Sequence, residues 1–400
     1  EPDDAAQLVT YLGILEGISD KEFGTLALLK RKEAVKSVLA LTNYKTISTE
    51  NCFDDGDADD EFGPYICGAL SLGIISNAKN FRPEDYITTT ELYTMILRAL
   101  GYGEYAAALG NYPIGSLMAA SKIGLDKDAE IDGNEYVNRK SALNIMYNAL
   151  MLSVMENSKI SEDGSTLRYG KKNKTVLEKY FHMSLFSGIV TANNASTLND
   201  TVESNPENIV IDNKVYRDLT YSAYSAIGRN ICFVVDSDDE NGIMTWWENI
   251  KENKIYEIDC GDLESVSKNS IKYYVNGTMQ KKQFNITNAD ILKNTSACYD
   301  YAYNLDSFKQ EDAYIVLIDN DSDGVIEVVN IMQPTVVPVD AIDFGGESVT
   351  IAGKDGKSIS FENYDNVNVM INGAPGKKRL LNNSAVVYAY LTPNNKNVTL

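Results

Sequence analysis

Residues 81–100, FRPEDYITTTELYTMILRAL, carry the pattern that decides the fold of this chain. Thr88 is a favourable helix N-cap, and Glu91 follows three residues later, which is the spacing of a capping box. Beyond this cap, apolar residues recur at helical spacing, at Leu92, Met95, Ile96 and Leu100. The stretch therefore predicts an amphipathic helix with a defined start and one apolar face.

A similar arrangement occurs three times in the first third of the chain, about every 50 to 60 residues. In each copy a short apolar helix ends in Gly, which supplies a left-handed C-cap, and a polar loop leads to a second helix. One such helix pair is too small to bury its apolar face, so three pairs should pack as one domain. The first helices end at Gly13-Ile14, Gly73-Ile74 and Gly124-Leu125, and the second helices open at Lys30-Arg31-Lys32-Glu33, Thr88-Thr89-Thr90-Glu91 and Asn138-Arg139-Lys140-Ser141.

These residues resemble the S-layer homology (SLH) family. Its repeats combine an aromatic-x-Asp start, a helix ending in Gly-Ile, an aromatic-x-Pro element and a Thr-Arg-Ala-Glu helix opening. In this chain Thr89 replaces the motif Arg of the second repeat, and Ser141 replaces the motif Glu of the third. The second repeat matches best, through Phe53-Asp54, Gly73-Ile74, Phe81-Arg82-Pro83 and Ile87-Thr88-Thr89-Thr90-Glu91.

The resemblance implies an all-α domain with pseudo-threefold symmetry that binds secondary cell-wall polysaccharide, often pyruvylated, on a Gram-positive bacterium. Arg31 and Arg139 match the principal groove residue of the family. A guanidinium suits this role because its planar fork can bind a carboxylate through two hydrogen bonds. In the alternative interpretation, both arginines only pair with acidic neighbours. The remaining predicted polysaccharide-binding residues lie at the same helix openings: Lys30, Lys32, Lys140, Thr88 and Thr89.

The composition describes an acidic protein, with a formal net charge of -21 and a pI near 4.5. Such a surface repels phosphates at long range, so we expect neither nucleic acid nor an anionic membrane as a partner. No run of about 18 apolar residues occurs, so no membrane span is predicted. Cys52 and Cys67 could form a disulfide, although buried free thiols are the simpler interpretation of the cysteines.

After Met155 the composition changes, and residues 156–187 are predicted to be a linker with a short docking helix. From Gly188 onward, β-branched and aromatic runs alternate with Asn, Gly and Asp turns, which predicts strands. Three hairpins are expected, the last of them between Ala385 and Leu400, where the natural protein is expected to continue. The predicted fold is therefore multidomain, α then β: an SLH domain at 1–155 (repeats 4–44, 53–102 and 105–152), then all-β barrel or sandwich modules at 188–255, 256–333 and 334–400.

One of the predicted hairpin turns resembles a calcium loop. Asp319, Asp321 and Asp323 alternate before Gly324, so hard oxygen ligands could converge while Gly permits a sharp turn. Asn330, however, occupies the position expected to supply a bidentate carboxylate. The alternative is an acidic hairpin turn that keeps the strands soluble. Calcium is the one candidate cofactor.

The sequence offers little chemistry for catalysis. His182 is the single histidine, and no phosphate loop, dinucleotide fingerprint or nucleophile elbow occurs. Trp246-Trp247 could stack on sugar, but at least one of two adjacent strand residues should point inward. We therefore predict a non-enzymatic, secreted cell-wall protein that contributes to an S-layer, with other S-layer subunits as further partners. The alternative is a cell-wall-anchored carbohydrate-binding protein or glycan hydrolase acting through the β-rich half.

Overall fold

The structure is a computed structural model, and it divides into two compact units, Glu1–Ser184 and Leu185–Leu400. The ranges that it describes are 4–18, 22–46, 51–56, 60–129, 135–160, 167–193, 196–198, 205, 207–220, 222–297, 305–310, 312–345, 348–371, 374–375, 381–382, 385–392 and 397–400. Cys298 lies outside them.

The first unit contains helices and one two-stranded antiparallel sheet. The helices are α1 (Asp4–Tyr11), α2 (Arg31–Ala40), α3 (Gly63–Ser71), α4 (Thr89–Ala99), α5 (Gly103–Leu109), α6 (Ile114–Ile123), α7 (Arg139–Met151) and α8 (Val176–Tyr180), and the strands are β1 (Ser153–Ile160) and β2 (Leu167–Thr175).

The predicted helix signals lie where the sequence places them. Thr88 caps α4, its hydroxyl accepting from the N–H of Glu91, while the Glu91 carboxylate accepts from the N–H of Thr88. Asn138 caps α7 through its side-chain oxygen, which accepts from the N–H of Ser141, without a reciprocal bond from a glutamate. Gly13 and Gly73 adopt positive φ angles of 65° and 69° where the chain leaves the preceding helices. Local propensity therefore sets the ends of these helices.

Three buried backbone segments meet in a closed ring of hydrogen bonds. The N–H of Leu29 donates to the carbonyl of Val137 (2.8 Å), that of Val137 to Ile87 (3.0 Å), and that of Ile87 back to Leu29 (3.0 Å). All three side chains are fully buried. Each residue lies just before a second helix of its repeat, so the ring brings the N-termini of α2, α4 and α7 together.

The prediction of a separate all-α N-terminal domain is wrong. The unit that holds α1 to α7 continues to Ser184, and the predicted linker contributes most of β1, all of β2 and α8 to it. The strands pair in an antiparallel register that joins Ser153 to Thr175. The change in composition after Met155 suggested a linker, but backbone groups can form a ladder whatever the side chains. Over the residues that the structure describes, strands account for more of the chain than helices do.

A disulfide joins Cys52 to Cys67, with a Cα–Cα distance of 5.7 Å. The interpretation of these two cysteines as free thiols is therefore wrong. Cys67 lies on α3 and Cys52 on the segment that precedes this helix, so the bond ties that segment to the helix. Cys232 and Cys260 are buried thiols that are not part of a disulfide.

The second unit is built mainly of strands and contains a helix, α9 (Leu305–Phe308). Its strands are β3 (Met183–Ala192), β4 (Asn208–Ile211), β5 (Lys214–Asp218), β6 (Asn230–Asp236), β7 (Asp239–Glu248), β8 (Lys254–Asp259), β9 (Leu263–Ser267), β10 (Ser270–Tyr274), β11 (Lys281–Asn285), β12 (Asp290–Lys293), β13 (Ser296–Ala297), β14 (Tyr314–Asp319), β15 (Val328–Met332), β16 (Thr335–Asp343), β17 (Thr350–Gly353), β18 (Ser358–Ser360), β19 (Asn366–Asn368), β20 (Met370–Ile371), β21 (Ala374–Pro375), β22 (Val386–Leu391) and β23 (Asn397–Thr399).

These strands form several sheets in chain order. The first is a closed barrel in the order β3-β4-β5-β7-β6, followed by a five-stranded sheet, β13-β12-β15-β14-β8, and a smaller one, β11-β10-β9. A six-stranded sheet, β18-β17-β16-β22-β23-β19, and the pair β20-β21 come last. Trp247 is buried in this unit, and the indole of Trp246 packs against the barrel core while its N–H donates to Ser222. Both indoles therefore serve packing.

Candidate functional site

Arg31 is the first residue of α2, and its side chain crosses to the second repeat. Its Nη1 donates to Oε1 of Glu91 at 2.6 Å, and its Nε donates to the carbonyl of Phe81 at 3.1 Å. The guanidinium also lies 5.0 Å from the centre of the Phe81 ring, a cation–π contact. These contacts hold the guanidinium plane in place while the side chain stays 12% exposed.

The Arg31 guanidinium lines a cavity of about 490 Å³, called here the Arg31 cavity. Among the described residues that line it, three arginines stand against one glutamate, Glu91. Aromatic rings of Phe81 and the exposed Tyr112 line it as well. The other lining residues are Arg82, Arg98, Phe53, Ile74, Ile75, Ser76, Ala78, Asn80, Thr94 and Met95.

Sequence reasoning missed Arg98 and Arg82 as members of this cavity. Glu91, Thr94 and Arg98 recur at helical spacing on α4, which places them on one face of the helix. That spacing was a signal available in the sequence. Arg98 donates to the carbonyl of Ile74 at 3.1 Å, so its head group is also held.

Arg139 forms the equivalent pair between the third and first repeats. Its Nη1 donates to Oε1 of Glu33 at 2.7 Å, and its Nη2 donates to the carbonyl of Glu16. The side chain is 3% exposed, and its Nε has no hydrogen-bond partner among the described residues. Its cavity, of about 340 Å³, is lined by more carboxylates than cations: Glu16, Glu33 and Glu61 against Lys36 and Arg139.

The third junction lacks both partners. In the two charged junctions, the Arg of one repeat pairs with the motif Glu of the next repeat in the cycle. By the same order, the third pair would join positions 89 and 141, which are Thr89 and Ser141 in this chain. Thr89 is fully buried, and its hydroxyl donates to the carbonyl of Glu135 at 3.1 Å. The structure therefore does not bring Thr89 to the Arg31 cavity.

The other predicted binding residues have varied surroundings. Lys30 and Lys32 both pair with Glu84, at 2.6 Å and 2.5 Å, and hydrogen bonds from Lys30 and then Lys32 lower the pKa of that carboxyl. Lys140 is exposed. Thr88 borders a second cavity beside Arg31, but its hydroxyl is engaged in the helix cap. These residues therefore contribute less to the Arg31 cavity than Arg82 and Arg98 do.

The predicted calcium loop joins β14 to β15. One carboxylate oxygen from each of Asp319, Asp321 and Glu327 lies within 4.8 Å of the others. Asp323 is not part of this group, and its carboxylate accepts from the N–H of Val325 at 2.7 Å. Burial raises the pKa of Glu327, and the nearby carboxylates of Asp321, Asp319 and Asp323 raise it further.

Two of the known proteins similar to this chain are named for the bacterial cell wall or surface layer. A stretch of 180 residues, 44% of the chain, is 26% identical to the Middle cell wall protein of Brevibacillus brevis and 24% identical to the Surface layer protein of Brevibacillus choshinensis. A stretch of 97 residues, 24% of the chain, is 30% identical to Exoglucanase XynX of Acetivibrio thermocellus.

The matched stretch spans only 16% of the length of each Brevibacillus protein and 9% of the exoglucanase. No family model matches the chain. Within the described residues, no helix is both long and apolar enough to cross a membrane. The similarities support a protein of the cell wall or cell surface.

Proposed function

We propose that this chain is a non-enzymatic cell-surface protein that attaches to an anionic secondary cell-wall polysaccharide through the Arg31 cavity. One observation carries the proposal. In a chain of net charge -21, the described residues that line this cavity include Arg31, Arg82 and Arg98 but one carboxylate, that of Glu91. Such a local excess of positive charge suits an acidic ligand.

The chemistry of the cavity fits a sugar that carries a carboxylate, such as a pyruvyl ketal. The described contacts of Arg31 use its Nε–H and one N–H of Nη1, so other N–H groups of the fork remain to donate to a carboxylate. The exposed ring of Tyr112 offers a face against which a sugar can pack. The carboxylate of Glu91 holds the Arg31 guanidinium in place. It also repels a ligand that carries a second negative charge close to this carboxylate.

The Arg139 cavity suits an anion less well. Glu16, Glu33 and Glu61 outnumber Lys36 and Arg139 there, and Arg139 is almost fully buried. Together with the neutral junction at Thr89, this favours one principal binding cavity among the three junctions. Arg139 then acts mainly as a bond between repeats.

Similarity to the Brevibacillus proteins supports the surface location, and the names of those proteins support a contribution to a cell-wall or surface layer. The similarity to an exoglucanase covers 24% of the chain, and it carries no argument for catalysis. Self-association with other subunits of a surface layer belongs to the same proposal.

Sedimentation with cell-wall sacculi tests the proposal. We expect the protein to bind intact Brevibacillus sacculi and to lose that binding when the secondary polysaccharide is extracted. With the extracted polymer in solution, Arg31→Met should weaken binding by about tenfold or more, because a charge-assisted hydrogen bond is lost. Arg139→Met should weaken it less.

The matched control is Arg217→Met, which removes an exposed arginine paired with Asp239 in the second unit. Its binding should equal that of the parent protein. Equal binding to extracted and unextracted sacculi would contradict attachment through the polysaccharide. If Arg31→Met binds the extracted polymer as tightly as Arg217→Met, the site lies elsewhere.

A further inference from the structure

The loop between β14 and β15 contains a buried carboxylate with an unused oxygen. Asp319 is fully buried, at 0% exposure. Its Oδ2 accepts from the N–H of Gly324 at 3.0 Å, whereas its Oδ1 has no hydrogen-bond partner among the described residues. A buried carboxylate oxygen without a partner is costly, so it requires an explanation.

The loop holds two further carboxylates beside it, and each is oriented by the backbone. Oδ1 of Asp321 accepts from the N–H of Asp323 at 3.1 Å, and Oε2 of Glu327 accepts from the N–H of Asn320 at 2.9 Å. In each of the three carboxylates, one oxygen is thus held by a loop N–H. One oxygen from each of the three side chains lies within 4.8 Å of the others.

The ammonium group of Lys254 is engaged by a backbone carbonyl of the loop rather than by these carboxylates. Lys254, the register partner of Asp319 on β8, donates its ammonium to the carbonyl of Ser322 at 3.3 Å. The hydroxyl of Ser322 in turn donates to the carbonyl of Glu252 at 2.7 Å, which fixes the loop against the start of β8. The loop is therefore held in place while its carboxylates still repel one another.

We propose that Asp319, Asp321 and Glu327 bind one calcium ion. Three carboxylates on an irregular loop suit calcium, which accepts hard oxygen ligands in flexible geometry. Magnesium demands a near-octahedral set and suits such a loop less well. Loop carbonyls and water can supply the remaining oxygens. Glu327 replaces Asp323 in the set that the sequence pattern indicated.

Isothermal titration of the full chain with calcium chloride, after treatment with a chelator, tests this site. We expect one site with a dissociation constant of about 10⁻⁴ to 10⁻³ M, as in other extracellular modules. Asp319→Asn and Glu327→Gln should each weaken binding by about tenfold or more. The matched control is Asp238→Asn, which removes one charge from the exposed turn between β6 and β7 and should bind calcium unchanged.

Asp319 is buried, so Asp319→Asn could fail to fold. Asp321 is exposed, so Asp321→Asn tests the calcium site without changing a buried residue. Circular dichroism establishes that each variant is folded. Calcium should also raise the melting temperature of the parent protein but not that of Asp321→Asn. Absence of binding heat up to about 10 mM calcium would overturn the proposal, since this exceeds the affinity range of such modules. Binding that Asp321→Asn and Asp319→Asn leave unchanged would also overturn it.

Discussion

Arg139 and Glu33 show how single residues tie the repeats together. The pair is separated by 106 positions in the chain, and the Arg31–Glu91 pair by 60. The helix openings identified all four residues, but nothing in the sequence told which Arg meets which Glu. In the cyclic order of the repeats, positions 89 and 141 belong to the same junction. The missing Arg at Thr89 and the missing Glu at Ser141 therefore affect one junction and not two. Losing both partners avoids leaving a buried charge unpaired.

Glu33→Gln should destabilise the protein by about 2 kcal/mol, because it leaves the guanidinium of Arg139 buried without its counter-charge. The glutamine oxygen can still accept from the N–H of Lys30, so the helix cap is retained. Urea unfolding measures the loss. When Glu33→Gln is combined with Arg139→Met, the loss of unfolding free energy should be smaller than the sum of the two single losses, by at least about 1 kcal/mol.

The control for this cycle is the exposed pair of Arg82 and Asp85, whose side chains are both more than half exposed. Arg82→Met should change the free energy of unfolding by less than about 0.5 kcal/mol. Strict additivity of Glu33→Gln and Arg139→Met would contradict a direct coupling between the two charges.

At the scale of elements, local signals were predictable and long-range ones were not. The caps at Thr88 and Asn138 and the hairpin that joins β14 to β15 follow from spacing and turn residues within a few positions. The β1–β2 ladder was missed because its backbone pairing leaves no side-chain pattern. The sequence offered Cys52 and Cys67 as a possible pair, but it could not decide for the disulfide because sequence does not tell which cysteines approach each other.

Removing this disulfide should destabilise the protein by about 3 kcal/mol, because a closed loop of this length restricts the unfolded chain. The double variant Cys52→Ser and Cys67→Ser tests this in urea unfolding, with the parent protein measured with and without dithiothreitol. Reduction should lower the stability of the parent to that of the variant and leave the variant unchanged. If dithiothreitol leaves the urea unfolding midpoint of the parent protein unchanged, the disulfide contributes nothing to the stability.

The disulfide also borders the candidate site, because Cys52 precedes Phe53, which lines the Arg31 cavity. A disulfide persists in oxidising surroundings, which agrees with the surface location of the similar Brevibacillus proteins.

On the scale of the whole molecule, two electrostatic effects oppose each other. The net charge of -21 repels an anionic polymer at a distance, whereas the three arginines of the Arg31 cavity attract it on contact. The composition alone suggested that an anionic glycan would need a local cluster of cations. It could not show that such a cluster forms from residues of the first and second repeats, since Arg31 and Arg98 lie on different helices.

The two effects should separate in the kinetics of polymer binding. Between about 10 mM and about 100 mM salt, the Debye length falls from about 30 Å to about 10 Å, so long-range repulsion is screened while contacts within the cavity persist. We expect the association rate constant to rise several-fold over this range, in contrast to an oppositely charged pair, whose association slows. The dissociation rate constant should rise as well, because the charge-assisted contacts weaken. Biosensor measurements with the extracted polysaccharide check both rate constants.

Arg31→Met should raise the dissociation rate constant and leave the salt dependence of association intact. Association that slows with salt would contradict this account, since it would mean that a larger basic surface steers the polymer.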